Sequence, residues 1–160
     1  DRLEQVGAFY EEALGLKLVK KTYNQDDGQT KHYFWADYDG QSVSPHSSLT
    51  LFDWSGSTLR ERPGIGQTHH IAFRAESAEQ QLEWREHLVG LGVDVSPVME
   101  RTYFESIYFR APDGLLLEIA TDGPGFSVDE DETELGTHLK LPEWLETQRS
   151  SIAASLAPLP

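Results

Sequence analysis

The order of helices and strands repeats within this chain of 160 residues. Hydrophobic periodicity predicts strand, helix and three strands over residues 68–125, but helix and three strands over residues 1–54. The first half is therefore the same unit without its opening strand, which we expect to precede Asp1. Because repeated units bury their apolar faces against one another, the pattern predicts a single α+β domain made of two βαβββ units.

The bounds of these elements follow from apolar spacing and from the positions of glycine and proline. We expect helices over residues 3–14 and 78–88, and strands over residues 16–23, 32–36, 48–54, 68–74, 93–98, 103–110 and 115–121. A linker rich in glycine and charge covers residues 55–67. The two-unit domain should thus span residues 1–125. Residues 126–160 are predicted to form an acidic loop and a short helix that starts at Pro142.

Composition excludes several classes of function. A net charge of −14 argues against nucleic-acid binding, which needs a basic surface. The sequence has no apolar run of about 18 residues, so we expect no membrane span. It contains no cysteine, which excludes disulfides, thiolate metal sites and cysteine nucleophiles. The chain opens without the pattern of a secretory signal, and a cytoplasmic location is the default expectation.

The acidic charge has a second implication, because lysine is scarce in this sequence. Salt screens the repulsion among surface carboxylates. An acidic, lysine-poor surface is therefore typical of a protein adapted to high salt, and we expect a halophilic origin. Loss of the native fold on dialysis from molar to low salt would support this expectation, and indifference to salt would contradict it.

Two strand segments carry metal-capable side chains among apolar neighbours. His70 lies in the segment Thr68–Phe73, and Glu118 lies in the segment Pro112–Ile119. A buried carboxylate is costly unless it is paired or bound to a metal, and histidine on a neighbouring strand is a suitable co-ligand. His70 could instead be a hydrogen-bonded core histidine, and Glu118 could be a salt-bridged strand residue. The lack of charged neighbours around Glu118 favours the metal.

Several blocks of this sequence are similar to one known superfamily. They are residues 9–10 with 14–22, 68–74, 95–99, 101–110, 114–126 and 141–145. The chain resembles the vicinal oxygen chelate superfamily, which includes glyoxalase, bleomycin resistance proteins and extradiol dioxygenases. The blocks are most similar to its ring-cleaving, hydroquinone-type dioxygenase branch. The longer members of that branch chain two such domains together, and this chain resembles a compact version with one.

The resemblance implies a fold and a metal site. In that family, two βαβββ units form a curved mixed sheet around one divalent metal, held by two histidines and one glutamate. Carried over, His70 and Glu118 are ligands, and the remaining histidine is expected upstream of Asp1. Arg101 and Tyr108 match residues near the substrate and oxygen, and His69 would assist proton transfer. The implied metal is Fe(II), with Mn(II) as the second choice.

The resemblance also implies the reaction and leaves alternatives. The expected activity is ring cleavage of a small aromatic diol, such as a hydroquinone or catechol, by dioxygen; a homodimer is compatible with it. A glyoxalase-like isomerase or lyase using Zn or Ni is less favoured, because its further carboxylate ligand would fall at Thr50. Asp53 lies on the opposite face of that strand. A metal-free protein that sequesters a small molecule remains the third alternative.

Overall fold

The computed structural model describes residues 2–54, 64 and 66–157. The chain divides into two compact units, Asp1–Gly123 and Pro124–Pro160. Most of the predicted linker at 55–67 lies outside the described residues. Within the described residues, no helix is both long and apolar enough to cross a membrane.

The described residues of the first half of the larger unit form one helix and three strands. They are α1 (Arg2–Leu14), β1 (Lys17–Tyr23), β2 (Lys31–Ala36) and β3 (Leu49–Asp53). The strands form an antiparallel sheet in the order β1-β2-β3. The turn between β1 and β2 is held by Asp27, whose carboxylate accepts hydrogen bonds from the backbone N–H groups of Gln29 and Thr30 and from the Thr30 hydroxyl.

Helix α1 packs on this sheet through one apolar stripe. Leu3, Val6, Tyr10 and Ala13 recur at helical spacing and are all buried. Helix and sheet approach closely at Gly7, where an added Cβ would lie 2.3 Å from Cζ2 of the buried Trp35. Any larger residue at this position would force the helix or the tryptophan ring to move.

In the second half, the part of the chain that the structure describes forms four strands and one helix. They are β4 (Ile71–Ala75), α2 (Ala78–Gly90), β5 (Met99–Glu100), β6 (Glu105–Arg110) and β7 (Leu116–Thr121). The sheet order is β4-β7-β6-β5, in which β4 runs parallel to β7 and the other pairs are antiparallel. This arrangement confirms the predicted α+β class and the repeat of a helix with three following strands. The described strands lie in two sheets, one from each half.

Two predicted strands differ most from those in the structure, and the strand expected over residues 103–110 begins two residues later, at Glu105. The strand expected over residues 68–74 begins at Ile71, because its parallel ladder with β7 starts at the pair Ile71–Leu117. The strand expected over residues 93–98 is wrong in extent: it is a single bridge at Val95, followed by the two-residue β5. Pro97 has no N–H to donate to a ladder.

Apolar side chains from both halves form one core within the larger unit. The buried residues of this cluster come from α1, β2, β4, α2, β6 and β7. The Phe9 ring of α1 lies 6.4 Å from the Phe109 ring of β6. Gln81 of α2 is also buried, and its amide nitrogen donates to the carbonyl oxygens of Glu105 and Ile119. The two hydrogen bonds of Gln81 join α2 to β6 and β7, and the candidate site lies on those two strands.

Residues Pro124–Pro160 form the smaller unit. It contains 3-10 helices at Phe126–Val128 and Glu143–Gln148, followed by α3 (Arg149–Ser155). Pro142 directly precedes the second 3-10 helix, where its fixed φ of −57° suits a helix start. The predicted C-terminal helix is therefore present, with a 3-10 first part.

Candidate metal and catalytic site

Glu118 of β7 is the centre of the candidate site. The residue is only 3% exposed, although a carboxylate is costly to bury without partners. It lies directly opposite Tyr108 of β6 in the antiparallel ladder, so the two side chains share one face of the sheet. The opposite face of these strands carries Ile107, Phe109 and Ile119, which belong to the core.

Each oxygen of the Glu118 carboxylate has its own partners. Oε1 accepts a hydrogen bond from the Tyr108 hydroxyl at 2.7 Å, and the hydroxyl of Ser106 also donates to it. Oε2 lies 2.6 Å from Nε2 of His70. The buried charge is thus met on both oxygens by polar groups, as burial requires.

His70 reaches Glu118 from the residue just before β4. Its side chain is 35% exposed, so the imidazole lies between the buried carboxylate and the surface. Its Nδ1 lies 2.9 Å from Nδ1 of His69, with the two rings nearly perpendicular. One of these nitrogens must donate and the other accept. When His69 Nδ1 is the donor, the ring proton of His70 lies on Nε2, which donates it to Oε2 of Glu118.

Arg101 extends the site along the edge of Tyr108. Its guanidinium carbon lies 5.2 Å from the centroid of the Tyr108 ring, within the range of a cation–π contact. The tight turn that joins β5 to β6 presents this arginine, with a left-handed backbone at Thr102 (φ 68°) and a hydrogen bond from Arg101 N to Phe104 O. Arg101 therefore contacts Tyr108 and places a positive charge beside its ring.

An arginine–carboxylate ion pair lies at the end of the same sheet. Nε of Arg74 donates to the Asp122 carboxylate at 2.8 Å. This hydrogen bond, with the nearby positive charge, lowers the pKa of Asp122 below its usual value. Arg74 thus has Asp122 as its carboxylate partner.

The donors present suit a divalent metal in part. A histidine Nε2 and a buried carboxylate oxygen are two of the three ligands of a 2-His-1-carboxylate site, and here they point at each other. Among the described residues, no group of three or more His, Asp or Glu side chains could hold a metal ion. The described chain can therefore supply two ligands of such a site.

The first half carries a different cluster at the matching place. Nε2 of His32 hydrogen-bonds to the Thr50 hydroxyl, and the His32 ring stacks on Phe52 at a centroid distance of 3.9 Å. The Thr50 hydroxyl also donates to the carbonyl oxygen of Tyr33. This position therefore holds a neutral hydroxyl engaged by its neighbours, where a glyoxalase-like site would need a carboxylate.

Sequence reasoning missed the role of Ser106. Its side chain is fully buried, and its hydroxyl donates to Glu118. The signal was weak but present: Ser106 lies two residues before Tyr108 on the same strand, so both point to the same face. A small hydroxyl on that face, beside a buried carboxylate, is a natural hydrogen-bond donor to it.

Two curated relatives match part of this chain. The chain is 46% identical over 100 residues to a Bacillus subtilis (strain 168) protein named "Putative ring-cleaving dioxygenase MhqA", covering 62% of this chain and 32% of that protein. It is 37% identical over 102 residues to the chlorohydroquinone/hydroquinone 1,2-dioxygenase of Sphingobium indicum (strain DSM 16413 / UT26), covering 60% and 32% respectively. The chain thus spans about a third of the length of these relatives.

Solved structures and a family model agree with the fold. The fosfomycin resistance protein FosX of Listeria monocytogenes, solved with Mn(II) and sulfate, superposes with a TM-score of 0.51 at 23% identity, covering 74% of this chain and 82% of that one. The model of the Glyoxalase/Bleomycin resistance protein/Dioxygenase superfamily matches residues 1–119. The chain therefore belongs to the glyoxalase, bleomycin resistance protein and dioxygenase superfamily.

Proposed function

We propose that this protein is a metal-dependent, ring-cleaving dioxygenase of the extradiol type that acts on an aromatic diol such as a hydroquinone or catechol. The observation that carries the proposal is the 2.6 Å approach of His70 Nε2 to Oε2 of the buried Glu118. The names of the two curated relatives, one of them a hydroquinone 1,2-dioxygenase, support the reaction class.

His70 and Glu118 would hold the metal, with a third ligand from outside the described residues. Fe(II) is the first choice and Mn(II) the second, because both suit two histidines and a carboxylate, whereas the neutral Thr50 offers no carboxylate for a Zn or Ni isomerase. Mn(II) in the FosX structure supports metal binding by this fold. When bound, such a metal supplies Lewis acidity and open positions for the diol oxygens and dioxygen.

The chain's own residues would prepare the site for this chemistry. Tyr108 holds its hydroxyl proton on Oε1 of Glu118 and keeps that oxygen turned away from His70. Arg101 lies against the Tyr108 ring, where its positive charge stabilises negative charge that develops on the substrate. His69, paired through Nδ1 with His70, holds or accepts a proton at that atom and so orients the His70 ring.

The partners and setting belong to the same proposal. The substrates would be a small aromatic diol and dioxygen, and the protein would work as a homodimer in the cytoplasm. Size-exclusion chromatography with light scattering measures the mass of the protein in solution. A mass twice that of one chain would support the homodimer, and the mass of one chain would contradict it.

A second candidate is a metal-free protein that binds a small molecule. It is favoured by the saturation of Glu118, whose two oxygens already have His70, Ser106 and Tyr108 as partners. Binding of an aromatic compound with the same affinity in the presence of a chelator would select this candidate. Binding that requires added Fe(II) or Mn(II) would exclude it.

Metal content decides between these functions. The protein should be loaded anaerobically with Fe(II), desalted and measured by mass spectrometry, beside the His70→Ala and Glu118→Gln variants. We expect about one metal per chain in the wild type and almost none in either variant, because each substitution removes a ligand. His87→Ala, on α2, is the matched control and should retain the metal.

The reaction is then tested by oxygen uptake. Metal-loaded wild-type protein should consume dioxygen with hydroquinone or catechol, and the two ligand variants should not. Bound metal without oxygen uptake on either diol would contradict the dioxygenase. Metal content unchanged in both ligand variants would contradict the assignment of His70 and Glu118.

A further inference from the structure

Ser106 occupies an unusual place for a serine. The residue is fully buried in β6, where its hydroxyl has left water and needs a hydrogen-bond partner. That partner is Oε1 of Glu118 on the neighbouring strand. Because the serine side chain is short and its backbone is in a strand ladder, the hydroxyl can move little.

Two donors therefore converge on one oxygen of Glu118. Tyr108 lies directly opposite Glu118 in the ladder, whereas Ser106 lies opposite Ala120. Their hydroxyls thus reach Oε1 from two different positions. Rotation of the carboxylate would break both hydrogen bonds at once, and Oε2 is left facing Nε2 of His70 at 2.6 Å.

We propose that Ser106 is a positioning residue that makes Glu118 a one-oxygen ligand. Carboxylates bind cations through one oxygen or through both. Because two hydroxyls occupy Oε1, Glu118 would offer only Oε2 to a cation shared with His70. The coordination position that Oε1 would otherwise take would stay open for another ligand. The proposal rests on the function proposed above, since it requires that the protein binds a metal.

Tyr108 alone would hold the carboxylate less firmly. Its ring is half-exposed and its hydroxyl stands at the end of a long side chain that also contacts Arg101. Ser106 is buried and lies close to the backbone, so it contributes the more rigid of the two hydrogen bonds. Loss of the Ser106 hydroxyl should therefore change the orientation of the Glu118 carboxylate even when Tyr108 is intact.

The test compares Ser106→Ala with Ser106→Thr and Ile107→Val. Ser106→Ala removes the hydroxyl, and Ser106→Thr retains it. Ile107→Val perturbs an equally buried neighbour that points to the opposite face of β6. Two measurements are made on each: the affinity for Mn(II) from an electron paramagnetic resonance titration, and the carboxyl ¹³C signal of Glu118 in the metal-free, glutamate-labelled protein. The Glu118 signal is identified by its absence from Glu118→Gln.

We expect Ser106→Ala to bind Mn(II) at least about tenfold more weakly, as for other groups that orient a metal ligand, and to shift the Glu118 signal. Ser106→Thr should restore both, and Ile107→Val should change neither. If Ser106→Ala binds Mn(II) with the wild-type affinity, or leaves the Glu118 ¹³C signal unmoved, the inference about Ser106 is overturned while the proposed function stands. A wild-type protein that binds no Mn(II) would defeat the proposed function and the inference together.

Discussion

Strands β2 and β3 occupy the place in the first half that β6 and β7 occupy in the second, yet the two pairs carry different chemistry. On β6 and β7 the buried Glu118 is held by hydroxyls and a histidine. On β2 and β3, the matching cluster is the pair His32 and Thr50, in which the His32 ring stacks on Phe52 and is tilted against Phe34. One backbone plan thus supports both a charged site and an aromatic one, and side-chain choice at a few face positions decides between them.

Burial explains why the difference matters energetically. Glu118 is 3% exposed, whereas Phe52 is 38% exposed. The Glu118 carboxylate therefore depends on its protein partners, because little water reaches it. A polar group on the face of the first half can exchange a lost partner for water. The two halves should respond very differently to the loss of a histidine.

The largest effect is expected for His70→Ala. It leaves Oε2 of the buried Glu118 without a partner, which should lower the free energy of unfolding by about 2 kcal/mol. His32→Ala is the matched control in the first half; it removes a stacked but accessible ring and should cost about 0.5–1 kcal/mol. Urea unfolding of the metal-free protein measures both. Equal losses would show that the two clusters do not differ as their burial indicates.

A smaller effect is expected for Asp27→Ala, in the turn between β1 and β2. Hydrogen bonds from the backbone and side chain of Thr30, together with the Gln29 N–H, lower the pKa of Asp27 in the folded protein. A lowered folded-state pKa means that the stabilisation is present above the unfolded value of about 3.9 and is lost as the pH falls through the folded value.

The expected result is therefore a lower Tm for Asp27→Ala at pH 7, with the gap from wild type closing in acid below about pH 4. Thermal unfolding followed by circular dichroism across this range measures it. Asp26→Ala removes a neighbouring exposed carboxylate and serves as the control. A gap that stays constant down to pH 2 would show that the charge of Asp27 does not stabilise the turn.

The smallest effect is expected for Thr50→Glu. It adds a carboxylate beside His32 and so imitates the histidine–carboxylate pair of the second half. Because Thr50 is exposed, we expect a change in unfolding free energy within about 0.5 kcal/mol. Urea unfolding measures this free energy. Thr22→Glu on β1 serves as the comparison, because it adds a carboxylate at a different strand position. A loss of several kcal/mol would mean that this face is buried and that the comparison of the two halves fails.

Much of the fold could be predicted from the sequence because apolar spacing is a local signal. The helix ending at Gly15 and the strand containing Glu118 follow from such spacing, and both agree with the structure within a few residues. The prediction of a strand over residues 93–98 was wrong in extent because Pro97 and Ser96 interrupt the backbone hydrogen bonds to β6. There the hydroxyl of Ser96 accepts a hydrogen bond from the Tyr108 N–H, in place of a backbone carbonyl.

The sequence could predict only those site residues whose type and immediate sequence neighbours indicate a role. A carboxylate among leucines marks Glu118, and the structure brings His70 and Tyr108 to it. The partnership with Ser106 depends on the register of β6 against β7, which no local pattern specifies. The contact of Arg101 with Tyr108 likewise depends on the turn at Thr102. Cross-strand geometry, rather than composition, completes the site.

The close approach of Trp35 to Gly7 gives the first half an optical reporter. Trp35 is 1% exposed and packed on the backbone of α1, whereas Trp54 and Trp144 are 59% and 74% exposed. Indole emits at shorter wavelength in apolar surroundings than in water. The short-wavelength edge of the emission should therefore follow the docking of α1 on its sheet, and separation of this helix from the sheet would be visible as a red shift.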